Sequence, residues 1–183
     1  MKKFFALSLL ALVAMLSSTA FAQKPVTVGG APMFPNKNII ENAVNPQDHT
    51  TLVAAVKAAG LVETLQGPGP FTVFAPDNAA FAALPPGTVD TLLKPENKAT
   101  LTAVLTYHVV AARLNSKALE RMIKQGGGRA TLKTVQGGEL TATMSGADIN
   151  ITDAKGNTAK ITITNVNQSN GVIHVVDRVL LPQ

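Results

Sequence analysis

The 183-residue chain contains no cysteine, which removes disulfide staples, thiolate metal centres, a thiol nucleophile and a lipid-modified N-terminal cysteine together. Stability must therefore come from packing. Tryptophan is absent and tyrosine occurs once, so an aromatic platform for sugars or nucleobases has little material. The net charge of +5 is mild and the basic residues are scattered, without the basic stripe of a nucleic-acid binder. No Gly-x-Ser-x-Gly elbow is present, and Gly126-Gly127-Gly128 and Gly137-Gly138 lack the spacing and the following Lys-Ser/Thr of a phosphate loop. They read as linker and hairpin turns.

The N-terminus carries a positive pair, Lys2 and Lys3, then an apolar run over residues 4–16 and a small-x-small sequence, Ala20-Phe21-Ala22. This is the pattern of a signal peptide over residues 1–22, with cleavage before Gln23. The apolar run is shorter than the roughly 20 residues needed to span a bilayer, so no stable membrane insertion is expected after processing, and the protein should be secreted or periplasmic. The remainder suits one domain with a full core. Residues 23–46 are punctuated by Pro25, Gly29, Gly30, Pro32 and Pro35 and read as an N-terminal arm, with a short helix over residues 39–44 ended by Asn45-Pro46. The domain proper occupies residues 47–183.

Within it the hydrophobic period changes once. Leu52, Ala55, Val56 and Ala59 recur at helical spacing ahead of Gly60, and Asp48 or Thr50 can cap that helix. A β-rich run over residues 71–75 follows a Gly-Pro-Gly-Pro turn, and Pro76-Asp77-Asn78 offers a cap for residues 79–83. Helical segments are expected over 88–93, 96–105 and 116–125. Beyond the triple glycine, short alternating runs over 130–135, 139–144, 149–152 and 158–166 predict meandering strands. The run from 172 to 181 is apolar enough for a central strand buried on both faces. Helices first and strands second is an α+β pattern.

Three segments stand out in this order: Thr72-Val73-Phe74-Ala75-Pro76-Asp77-Asn78-Ala79-Ala80-Phe81, the pair Tyr107-His108 with Val109-Val110, and Asn170-Gly171-Val172-Ile173-His174-Val175-Val176-Asp177-Arg178-Val179-Leu180-Leu181-Pro182. Together they resemble the two long boxes and the central Tyr-His pair of the fasciclin (FAS1) family, over roughly residues 47–182. Asp77 stands where a Thr often follows the Ala-Pro of the first box, a mild departure because either residue caps a helix. The resemblance implies a FAS1-like β-wedge or sandwich with helices packed on one side. It also implies a binding or adhesion module, not an enzyme, with no cofactor and a protein, cell-surface or matrix partner.

Few residues are candidates for chemistry. Asp77, His108 and Ser116 do not form a hydrolase motif, and Lys155 in Asp153-Ala154-Lys155-Gly156-Asn157 puts a cation where a calcium ligand would be needed. His108 and His174 lie among apolar neighbours and read as hydrogen-bonded core histidines. The family resemblance would instead assign Tyr107 and His108 to partner contact; burial separates the two readings, and Tyr107 is left open. An alternative function is periplasmic binding of a soft metal such as copper, or of a small ligand. It would use Met33 and His49, with Met122 and Met144 as the other available methionines.

Overall fold

The computed structural model describes residues 24–183. The expected signal peptide, residues 1–22, and the cleavage before Gln23 lie outside them. Two short strands, β1 (Val26–Val28) and β2 (Ala31–Met33), pair antiparallel and precede α1 (Ile39–Ala43). A 3-10 turn, Gln47–His49, leads into α2 (Thr50–Ala59), α3 (Val62–Gln66), β3 (Phe71–Pro76), α4 (Asn78–Ala82), α5 (Thr88–Leu92) and α6 (Lys98–Tyr107). After β4 (Val109–Val110) and α7 (Ser116–Gln125) come β5 (Arg129–Lys133), β6 (Glu139–Ser145), β7 (Asp148–Thr152), β8 (Thr158–Gln168) and β9 (Gly171–Val176). The change from helical to alternating period thus marks the change from helices to sheet.

The helix ends follow their local chemistry. Gly60 closes α2 in the left-handed region, φ +73°, where a side chain would be strained. Asp77 caps α4 by accepting from the Ala80 N–H at 2.7 Å. The cap of α2 comes from elsewhere: neither Asp48 nor Thr50 supplies it, and Asn78 Oδ1 accepts from the Thr51 N–H at 3.0 Å. A single turn after β3 therefore serves two helices.

The large sheet has seven strands in the order β4-β3-β9-β8-β7-β6-β5, antiparallel throughout except for the parallel β3–β9 pair. The first and last family boxes are these two neighbours. The edges also approach each other, through a Val110–Thr134 bridge and a Val135 N–H donating to Val109 O at 2.7 Å. The sheet is consequently nearly closed, an α+β fold of mixed helices and strands.

Alternation on β3 and β9 divides the interior. Val73, Ala75, Ile173 and Val175 face a first core built with α1 through α6, whereas Phe74 and Val176 face a second core with Leu119 and Ile123 of α7. Most helices gather on one face of the sheet, and α7 packs against β5 and β6 on the other.

The N-terminal segment is not a detached arm. Val28, Met33 and Ile39 are buried in the first core. Asn42, also buried, donates through Nδ2 to Phe34 O and to Gln168 Oε1 on β8, while its Oδ1 accepts from the Phe34 N–H at 2.9 Å. The prolines and glycines correctly exclude a long element. Three-residue strands are nevertheless sufficient to place two large apolar side chains under the helices.

Candidate functional site

The Tyr-His pair lies at the C-terminal end of α6, where the chain turns into β4, and both side chains are buried. Tyr107 donates its hydroxyl to Glu139 O at 2.7 Å and accepts from the Ala154 N–H at 3.0 Å. Burial pushes its phenol above the usual value. His108 Nδ1 donates to Val104 O at 2.8 Å, and Nε2 accepts from the Leu180 N–H at 2.9 Å. Those partners require the neutral Nδ1–H tautomer, and burial pulls the ring down to about 4. Of the two roles open to this pair, core hydrogen bonding and partner contact, the geometry carries the first: the polar atoms of Tyr107 and His108 are engaged inside the domain and both side chains are buried.

His174 is the complementary case. Nε2 donates to Leu114 O at 2.7 Å and Nδ1 accepts from the Asn165 N–H at 3.4 Å, with the ring stacked on Phe74 at 5.9 Å between centroids. Desolvation lowers its pKa as well. Asp153, which sequence reasoning treated only as part of a turn, is a buried acceptor. Its Oδ1 receives the N–H groups of Lys155 and Asn157, and its Oδ2 receives Asn157 Nδ2 and the Leu181 N–H, all within 2.8–2.9 Å. An Asp opening a turn with Gly three residues later carried this signal. His108 ties the central pair to the last box through Leu180, and His174 ties the last box to the first through Phe74, whereas Tyr107 and Asp153 fasten the 153–157 turn to α6 and to Leu181.

The candidate metal ligands are divided by the two cores. Met33 and His49 line one cavity under α1 and α2, whereas Met122 and Met144 pack against the second core. Met33 Sδ lies 4.0 Å from Gln168 Nε2. The pair named for a soft metal, Met33 and His49, thus shares a cavity without the other two methionines, and among the described residues no group of three or more His, Asp or Glu side chains is placed to hold a metal ion. His49 itself is buried, with Nδ1 2.6 Å from Asp48 Oδ1.

The outer surface offers a different feature. Phe34 and Val44, at the two ends of the N-terminal segment's return to the domain, are exposed large apolar residues, and Lys37 Nζ stands 5.4 Å from the Phe34 ring centroid. No helix among the described residues is long and apolar enough to cross a membrane.

Comparison with known proteins places this architecture. The fasciclin domain family model matches residues 47–182. A Synechocystis protein, Protein sll1483, is 45% identical over 87% of this chain and 82% of its own length. The immunogenic protein MPB70 of Mycobacterium bovis is 34% identical over 86% of this chain and 74% of its own, and the cell surface glycolipoprotein MPB83 of the same species is 32% identical over 88% and 68%. Among solved structures, a FAS1 domain pair from the insect cell adhesion molecule fasciclin I superposes with a TM-score of 0.73 at 17% identity. It matches 81% of this chain, which spans 52% of that two-domain structure.

Proposed function

The chain belongs to the fasciclin domain family, and from that membership we propose that it is an exported, non-catalytic adhesion module that binds a protein or matrix component at the cell surface. One observation carries the reading. The buried Tyr107, His108, His174 and Asp153, in or beside the family boxes, have their donors and acceptors engaged within the domain. A general acid or base must reach a substrate proton, and these groups do not. Recognition then falls to the exterior, as is usual where a rigid scaffold presents exposed segments. The exposed Phe34, with Lys37 Nζ 5.4 Å from its ring centroid, and the exposed Val44 supply apolar surface on the N-terminal segment. Export agrees with the signal-peptide pattern of residues 1–22 and with the cell-surface relative.

Cosedimentation of the purified processed protein with isolated cell-envelope or matrix fractions tests this reading. Wild type is expected in the pellet in a saturable manner, and the double variant Phe34→Ser/Val44→Ser should lose most of that retention while keeping its circular dichroism. Retention of neither protein at any concentration would overturn the adhesion reading. Equal saturable retention of both would move the contact surface away from Phe34 and Val44.

A further inference from the structure

The first core contains an unfilled space. A cavity of about 80 Å³ lies between α1, α2, α6 and the facing side chains of β3 and β9, with Ile39, Leu52, Val56, Leu105 and Ile173 among its walls. Two imidazoles also line it, His49 and His108. Both nitrogens of His108 are engaged. His49 Nε2 is not: it is the one buried side-chain nitrogen or oxygen among the described residues without a hydrogen-bond partner.

Its state follows from the other side of the ring. Nδ1 faces the carboxylate of Asp48 at 2.6 Å, and an ionised carboxylate can only accept, so in the neutral imidazole Nδ1 carries the proton and Nε2 presents a lone pair. The arrangement is held from outside. A Cβ on Gly29, in the β1–β2 turn at φ +53°, would sit 1.9 Å from Asp48 Oδ1, so the turn is pressed against that carboxylate. A buried acceptor without a donor is unfavourable. Water is a poor remedy, because a buried water needs two to four polar partners and this lining offers one. Apolar cavities take apolar guests, and one of about 150 Å³ holds benzene. This smaller space suits a short alkyl chain, and the free lone pair asks that the chain carry one donor.

We infer that the cavity is a binding site for a short-chain aliphatic alcohol, whose hydroxyl donates to His49 Nε2 while its alkyl chain lies against Ile39, Leu52, Val56 and Ile173. Val44 and Lys57 also line the cavity and are exposed, which puts the entrance between α1 and α2. The site adjoins the surface proposed above for adhesion at Val44, but its binding does not rest on that reading.

The test is an NMR titration of the processed protein at a pH well above the ordinary histidine range, using ethanol and propane, in which a methyl group replaces the hydroxyl. Both match the room left by a cavity about half the size of one that holds benzene. The alcohol is expected to saturate shifts of cavity residues, to move the His49 Nε2 resonance, and to bind about tenfold more tightly than the alkane, the effect of one hydrogen bond. In His49→Phe that preference should vanish while the alkane still binds. Should His49→Phe fail to fold, the wild-type Nε2 shift and the alcohol–alkane contrast decide alone. Equal affinity for both probes in wild type, or no saturable shift of cavity residues with either, would overturn the site.

Discussion

The histidines show how much a partner decides. His108 and His174 occupy similar apolar surroundings, yet His108 is a donor through Nδ1 and His174 a donor through Nε2, because different backbone carbonyls meet them. Their burial was legible from flanking Val and Leu residues. Their tautomers were not: Val104 O lies one turn back on the helix that His108 caps, but Leu114 and Leu180 are set against the rings by tertiary packing. Both rings are neutral in the folded state, which has a consequence for pH. An unfolded histidine titrates near 6.5, whereas burial holds His108 at about 4. Above the unfolded value both states are neutral and the contribution is complete. As pH falls below it the unfolded chain takes up a proton that the folded chain does not, so stability declines until the folded ring itself protonates. For His108 the total is on the order of 3 kcal/mol, and His174 acts in the same direction. Urea midpoints should therefore fall between about pH 7 and about pH 5, above the ordinary carboxylate range. His108→Gln should be less stable at neutral pH but flatter across that interval. A wild-type midpoint constant over the interval would contradict neutral buried rings.

At the scale of elements, the positions of most helices and strands could be anticipated from period and punctuation, but their joints could not. The parallel β3–β9 pair joins segments about a hundred residues apart, and no local pattern specifies that register. The β1–β2 hairpin escaped notice because three-residue strands leave too short a period to read. A third joint is the irregularity in β8 between Ile163 and Val166. There Asn165 adopts φ +59°, a conformation that Asn tolerates better than most residues. The bend aims its side chain at the start of α7: Oδ1 accepts from the Ser116 N–H at 2.7 Å, and Nδ2 donates to Ser116 Oγ at 2.8 Å. Asn115 caps the same helix by accepting from the Ala118 N–H. Asn165→Ala removes both contacts and adds left-handed strain, so thermal melts should show a loss of about 2 kcal/mol. Asn165→Gly keeps the backbone conformation and should lose less. If the two variants melt alike, the strain argument fails and the cap alone matters.

The whole molecule is a sheet shared by two cores, and this sharing makes the family boxes interdependent. Their apolar character announced burial, and the helix-then-strand order announced the fold class. The division into two cores follows from the pleat, because β3 sends Val73 and Ala75 to one side and Phe74 to the other, and β9 does the same with Ile173 and Val176. Unfolding either core would expose the opposite face of the same strands, so the two should melt as one unit. The composition supplies a convenient probe: the sole tyrosine, Tyr107, belongs to the second core, whereas α1 through α5 pack on the first. Ile173→Ala leaves a space in the first core and is expected to cost about 2–5 kcal/mol. In urea titrations, tyrosine fluorescence and far-ultraviolet circular dichroism should give coincident transitions for wild type, and the variant should lower both midpoints equally. A variant whose circular dichroism shifts while Tyr107 keeps the wild-type midpoint would mean that the second core stands without the first. The shared strands would then join the two cores without making their stability common.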